Sequence, residues 1–340
     1  MDHDNRSLRL GAAVILCALV LRLGAGGFFQ PLVRFLSQPH IVSLMIYLET
    51  GRIVRFSDSS APTTDFVPVP QETTSPAGPP ATEPQTPQAL PVFAAAEAAA
   101  VPIRGVETTA DPGALLARAL EWDLTGSEPT VLIYHSHATE CFTRSPGEGY
   151  EESSAFRTLS TDYNMVSIGS RVAALLEEGG ITVLHDRQLH DSPSYNSSYI
   201  HSRASVQEYL ARYPSIRLVL DLHRDASGDN SNQMTTSATV DGEKSAQLML
   251  VVAAGTDVRP VPRWQENLAL GLKLHVQLER IAPGICRYVN LRSSRFNQDL
   301  SPGALLVEVG AAGNTHPEAL KAADVLAEAI LALAKGANGD

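Results

Sequence analysis

The chain predicts an α/β fold built on a mainly parallel sheet with helices on both faces. Two observations carry that prediction. From about residue 104 onward, short β-branched and apolar runs alternate with stretches of helical periodicity. Three of those runs, Thr130-Val131-Leu132-Ile133, Ile216-Arg217-Leu218-Val219-Leu220 and Ala304-Leu305-Leu306-Val307, end in residues that bind metals or exchange protons. In open α/β sheets, ligands and reacting groups collect where strands end.

The elements follow in order. Asp111-Pro112 opens a short helix with Leu115, Leu116 and Leu120 on one face. The first strand runs to His135, and a Gly/Ser/Glu-rich loop over 145–154 is expected to line the cleft. Residues 163–178 have helical spacing (Val166, Val172, Leu175, Leu176) and stop at Gly179-Gly180. A strand over 181–184 leads to His185-Asp186 and His190-Asp191, and the polar stretch 195–199 leads to a helix over 202–213. The strand to His223, a strand over 248–254, a helix over 265–281, a segment 292–297, a strand over 305–309 and a helix over 317–335 complete the domain.

Before it, the chain has a different character. Residues 10–29 are apolar apart from Arg22 and reach the roughly 20 residues that cross a bilayer. Arg22 can snorkel. Arg6 and Arg9 are offset by Asp2 and Asp4, so the charge signal for orientation is modest. A cleaved signal peptide, using Gly24-Ala25-Gly26, is the rival; the preferred reading is an uncleaved anchor over 1–30 with the rest outside. Residues 31–103 read as a juxtamembrane segment and a Pro/Thr/Ala-rich disordered linker, briefly helical only at 94–100. The folded domain is assigned to 104–340.

Composition excludes some partners. A net charge of -11 over 340 residues, with no basic stripe, argues against nucleic acid. Cys17, Cys141 and Cys286 form no paired framework, and Cys141 lacks an evident partner base for thiol catalysis.

The strand-end residues suggest zinc chemistry. A catalytic zinc keeps three protein ligands and an open position, and lowers the pKa of water from about 15.7 towards about 7. His137 and Glu140, three apart in a turn, can grip one ion, and His223 completes a two-histidine, one-glutamate set. His135, two residues before His137, faces the same way if the segment stays extended, and stands as ligand or ligand-supporting residue; His137 is preferred because it pairs with Glu140. Glu308 is the acid/base candidate, against the alternative that it caps the following helix. Asp221 is a candidate for orienting an imidazole. Arg203, Arg224, Arg292 and Arg295, with Asn297 beside them, are candidates for holding anionic substrate. His185, His190 and His201 read as surface or supporting residues.

The segments 134–140, 194–203, 221–225, Asn297-Gln298-Asp299-Leu300 and 308–315 resemble the stage II sporulation protein P family, over about 105–340 and in the layout of anchor plus linker. These are membrane-anchored peptidoglycan hydrolases of endospore-forming bacteria. The resemblance implies a zinc-dependent N-acetylmuramoyl-L-alanine amidase with a zinc amidase/carboxypeptidase-like fold. It implies cleavage between muramic acid and the stem peptide, with endopeptidase activity besides. It also implies a role in septal wall thinning and engulfment, alongside stage II sporulation proteins D and M, from the cell membrane at the sporulation septum. The family's zinc histidine and glutamate match His137 and Glu140, the later histidine matches His223, and the catalytic glutamate matches Glu308. The broader amidase group carries its ligand glutamate at the start of the next helix, where this chain reads Ser160-Thr161-Asp162-Tyr163-Asn164; the carboxylate ligand is therefore placed at Glu140. Two other functions fit the same residues: a wall-binding scaffold with an inactive metal site, and a zinc carboxypeptidase acting on stem peptides.

Overall fold

A computed structural model describes residues 93–335, apart from 120, 121, 125, 230 and 231. The expected anchor and most of the expected linker lie outside the described residues. Among the described residues, no helix is long and apolar enough to cross a membrane.

Seven strands form the central sheet: β1 (Ile103–Gly105), β2 (Val131–Tyr134), β3 (Val183–His185), β4 (Leu218–Asp225), β5 (Leu248–Ala253), β6 (Cys286–Arg292) and β7 (Ala304–Ala311). Their order is β1-β6-β5-β7-β4-β2-β3. All neighbours pair in parallel except β5 and β7, whose antiparallel register sets Leu306 opposite Val251 and Glu308 opposite Met249. The expected mainly parallel α/β sheet is therefore present, split into two parallel blocks that run in opposite directions. The helices are α1 (Pro112–Ala117), α2 (Met165–Glu178), α3 (Ser198–Arg212), α4 (Trp264–Ile281) and α5 (His316–Lys335).

Alternation along the strands sorts the side chains between two faces. Val131 and Ile133 of β2 and Leu248, Leu250 and Val252 of β5 join the main core with α2, α4 and α5. Leu132 and Tyr134 face the other way, against Val206 of α3. Met249 and Val251 face that second side too, with Leu306, Tyr288 and Phe296. One face is thus sealed by three helices, while α3 covers part of the other and a cleft occupies the rest.

Local sequence explains the helix ends. Asp111 caps α1 by accepting from the Gly113 and Ala114 amides, with Pro112 in the first turn. Asn164 caps α2, and Gly180 takes the left-handed φ of +89° that ends it. Helix α5 is entered through Thr315 and Glu318, whose side chains reach each other's backbone amides. Glu308 has no part in that cap, so the capping alternative for it does not hold.

Four expectations change. The fold begins before residue 104: Phe93, Ala98 and Val101 are buried in the main core, a 3₁₀ helix spans Ala95–Ala100, and β1 is an edge strand of the sheet. The end of the expected linker is thus structural, because Phe93 and Val101 bring enough apolar surface to be buried. The buried Lys273 of α4 holds this segment, donating to the Leu116 carbonyl with its ammonium 5.0 Å from the centre of the Phe93 ring. Strand β6 was not expected; Val289 and Leu291 face the core while Asn290 and Arg292 line the cleft, so no apolar run announces it. Helix α3 starts at Ser198 rather than 202. Short hairpins pair Gly228–Asp229 with Asn232–Gln233, Ala238–Val240 with Glu243–Ser245, and Gly255–Thr256 with Arg259–Pro260.

Candidate metal centre

The turn after β2 decides where each histidine goes. His135 continues the strand's alternation and enters the α2 side. Its Nδ1–H donates to the Leu222 carbonyl at 3.0 Å, which leaves Nε2 to accept from His185 Nε2–H at 2.9 Å. A Cβ on Gly169 of α2 would stand 2.5 Å from His135 Nε2, so only glycine fits there. Residues 136–139 then turn, closed by the Glu140 amide donating to the His137 carbonyl at 3.2 Å. That turn swings His137 to the opposite side, into the cleft. The expectation that His135 and His137 face the same way fails for this reason, and His135 does not join the ligand group.

His137, Glu140 and His223 do come together, each offering a ligand atom within 4.8 Å of the others. Glu140 lies between the imidazoles: Oε1 is 3.5 Å from His137 Nδ1, and Oε2 is 3.4 Å from His223 Nδ1. Asp221 takes the place expected of an orienting carboxylate. Its Oδ1 is 2.9 Å from His223 Nε2 and accepts from the Ser136 amide at 2.8 Å, while Oδ2 accepts from the Ser136 hydroxyl at 2.7 Å. With Nε2–H directed at Asp221, the Nδ1 lone pair of His223 is left for a cation. Burial alone would push His223 down, but Asp221 and Glu140 beside it hold it well above the usual histidine range. Burial would likewise raise Glu140, but Arg224 and the two histidines hold it well below the usual carboxylate range.

Several residues that sequence reasoning missed stiffen this group. Arg157 bridges Glu140 at 3.3 Å and Asp191 at 2.7 Å. Asp191 in turn accepts from the Thr139 hydroxyl at 2.6 Å. Tyr195 stacks on His137 with ring centres 4.5 Å apart, and Tyr199 meets it edge-on at 5.4 Å. Only the neighbouring Tyr195–Tyr199 polar stretch hinted at them; nothing in the spacing singled out Arg157.

Glu308 sits beside His223 in the β7–β4 register and lines the same cleft of about 240 Å³. Its Oε2 is buried and, among the described residues, has no hydrogen-bond partner. Burial pushes Glu308 up to about 8, with Glu140 and Asp225 adding to the rise and His223 opposing it.

The expected substrate-binding residues divide. The Arg224 guanidinium is buried and donates to the Cys141 and Phe156 carbonyls at 3.0 and 2.9 Å, holding the turn together. Arg203 forms a paired bridge to Asp299 at 2.8 and 2.7 Å, and Arg295 lies 3.9 Å from the same carboxylate. Asn297, buried in the left-handed region at φ 56°, donates to the Ser202 hydroxyl at 3.1 Å. Arg203 and Asn297 tie α3 to the loop after β6 rather than facing the cleft. Arg292 does line it.

The donor set suits a divalent metal: two imidazole nitrogens and a carboxylate held from outside, with room for a fourth ligand facing an unpartnered carboxyl oxygen. Fold and site together define an α/β protein with a candidate three-ligand metal centre at the ends of adjacent parallel strands. The family profile described as Stage II sporulation protein P matches residues 71–331, and the chain belongs to that family. It is 27% identical over 215 residues to the stage II sporulation protein P of Bacillus subtilis (strain 168), covering 60% of this chain and 51% of that protein. The chain thus spans about half the length of the curated relative it matches. Among solved structures, it is similar to the N-acetylmuramoyl-L-alanine amidase AmiC2 of Nostoc punctiforme, at 18% identity, TM-score 0.35, and 62% and 97% coverage of the two chains. Ami1 of Mycobacterium smegmatis matches at 12% identity, TM-score 0.39, and 63% and 99% coverage. A metallo-carboxypeptidase of Burkholderia cenocepacia matches at 10% identity, TM-score 0.33, and 62% and 58% coverage.

Proposed function

We propose that this protein is a zinc-dependent peptidoglycan hydrolase that cleaves the amide between N-acetylmuramic acid and the stem peptide. The observation that carries the reading is the convergence of His137, Glu140 and His223 beside Glu308, whose buried Oε2 has no hydrogen-bond partner among the described residues, in a member of this family. His137 and His223 through nitrogen, and Glu140 through a carboxylate oxygen, would hold the ion. When bound, zinc supplies Lewis acidity, polarising a carbonyl and making water a nucleophile near neutral pH.

The chain's own residues do the rest. Asp221 and Ser136 fix the His223 ring, and Arg157 and Arg224 fix Glu140, so these side chains are held in place. Glu308 exchanges the proton: ionised, it accepts one from the attacking water; protonated, it hands that proton to the leaving amide nitrogen. The C–O bond forms first and the C–N bond then breaks, and with the second proton of the water passing to the nitrogen the products are a muramic carboxylate and a peptide ammonium. A carboxyl raised towards neutrality is matched to both halves of that exchange. Anchoring through residues 10–29, placement outside the cytoplasm at the sporulation septum, endopeptidase activity, and joint action with stage II sporulation proteins D and M belong to the same proposal.

The test compares the full chain with Glu308→Gln for zinc content and for stem peptide released from purified wall. Both are expected to carry zinc, with release by the variant lower by roughly 10²–10⁴-fold. Undiminished release by Glu308→Gln would remove Glu308 from the mechanism. Zinc without release by either protein would favour a wall-binding scaffold, and cuts confined to the peptide would favour a peptidase.

A further inference from the structure

The cleft is chemically lopsided. At one end stand the metal-binding group, Glu308 and Asp225; at the other stand Asn290 and Arg292 of β6. Between them Met249, Val251, Leu306 and Phe296 make an apolar floor. Arg292 differs from the arginines around it. Arg157 and Arg224 are engaged with Glu140, Arg203 with Asp299, and Arg287 with Asp225 at 2.6 Å. Arg292 is exposed at the cleft wall, and among the described residues it forms no ion pair.

We propose that Arg292 determines substrate specificity by receiving a free carboxylate of the stem peptide, about five residues from the scissile amide. The inference rests on the amidase reading of the metal end. Strand β6 lies two strands from β7, which carries Glu308. Two strand spacings are about 10 Å. Arg292 pairs with Ala253, four residues along β5 from the Met249 that faces Glu308, which adds about 13 Å along the strands. An extended peptide covers the resulting ~16 Å in about five residues at roughly 3.4 Å each. A guanidinium matches a carboxylate through paired, charge-assisted hydrogen bonds. The apolar floor suits peptide side chains better than a glycan or a polyphosphate, which would need polar partners along its length. The carboxylate is that of the fourth or the fifth stem residue, and the test separates them.

The probes are synthetic muramyl-peptides with a free acid or a primary amide at the fourth or the fifth residue, given to the zinc-loaded full chain. The unmutated protein is expected to prefer a free acid at one of these positions, through a KM about 10-fold lower. Arg292→Gln should raise KM for that substrate by about 10-fold, leave kcat unchanged, and leave the amide substrate unaffected. Arg292→Lys should restore part of the preference. Calorimetric binding of the corresponding stem peptides, which lack the muramyl amide, reads the same preference without any cleavage. If muramyl-peptide is not cleaved but the Arg292-dependent acid preference appears in binding, the amidase reading falls and the carboxylate site stands. Equal effects of Arg292→Gln on acid and amide ligands, or none on either, would overturn the proposal.

Discussion

Two histidines separated by one serine end in opposite environments, and the contrast shows what makes a metal centre here. His135 and its partner His185 are held between the sheet and α2 with a backbone carbonyl and each other for company. Burial pushes His135 down to about 4 and His185 down to about 3, so both stay neutral. His137 lies on the cleft side among Glu140, His223 and two tyrosines. Both places are rich in imidazole, but only the second adds a carboxylate held by arginines. Carboxylate placement and the turn that delivers it, rather than histidine content, separate a candidate ligand group from a packing pair.

The largest effect should come from the cleft side. Glu140→Ala should weaken zinc binding by more than the 10–100-fold typical of losing an outer partner, whereas His135→Ala should leave zinc stoichiometry intact. Metal analysis after dialysis against a weak chelator checks this, and zinc loss from His135→Ala would break the comparison. A smaller effect is expected on the other side. Gly169→Ala would normally help a helix by about 1 kcal/mol, but the new methyl meets His135 Nε2 at 2.5 Å and His185 Nε2 at 2.6 Å. Overpacking should win, with a net loss of about 1–3 kcal/mol in urea unfolding and zinc binding retained.

The smallest effect is on pH dependence. His135 and His185 titrate lower in the folded chain than the ordinary 6.5, so the unfolded chain binds protons that the folded one excludes. Their contribution is fully present above about pH 6.5 and is lost as pH falls through about 4 for His135 and about 3 for His185. Replacing His185 with Gln should flatten that part of the stability profile, as read by unfolding at a series of pH values. An unchanged slope would mean that the pair does not resist protonation.

Much of the cleft side could be read from the sequence. Three strands ending in His, Asp or Glu, with His137 and Glu140 in one turn, already singled out the group that assembles. The faces of the segment could not be read, because alternation holds only while the backbone stays extended and the turn at 136–139 interrupts it. Strand β6 escaped because its cleft-facing residues are polar, which breaks up the apolar signal. The roles of Arg203, Arg224 and Asn297 escaped because their partners, Asp299, the Cys141 carbonyl and Ser202, are distant in sequence. The antiparallel β5–β7 pairing has no local signature at all, since strand direction is set by the path of the connections.

The docking of Phe93 has a mechanical side. A pull on the chain where it enters the domain acts first on a buried aromatic ring and a 3₁₀ turn that packs on α1 and α4. Only after these give way does the load reach β1 and its edge bonds to β6, such as the Val106 amide to the Leu291 carbonyl at 2.8 Å. The candidate ligand group lies across the sheet, beyond β6, β5 and β7. Tension on the leading segment would therefore be spent on its first anchor points before it could distort the candidate ligand geometry.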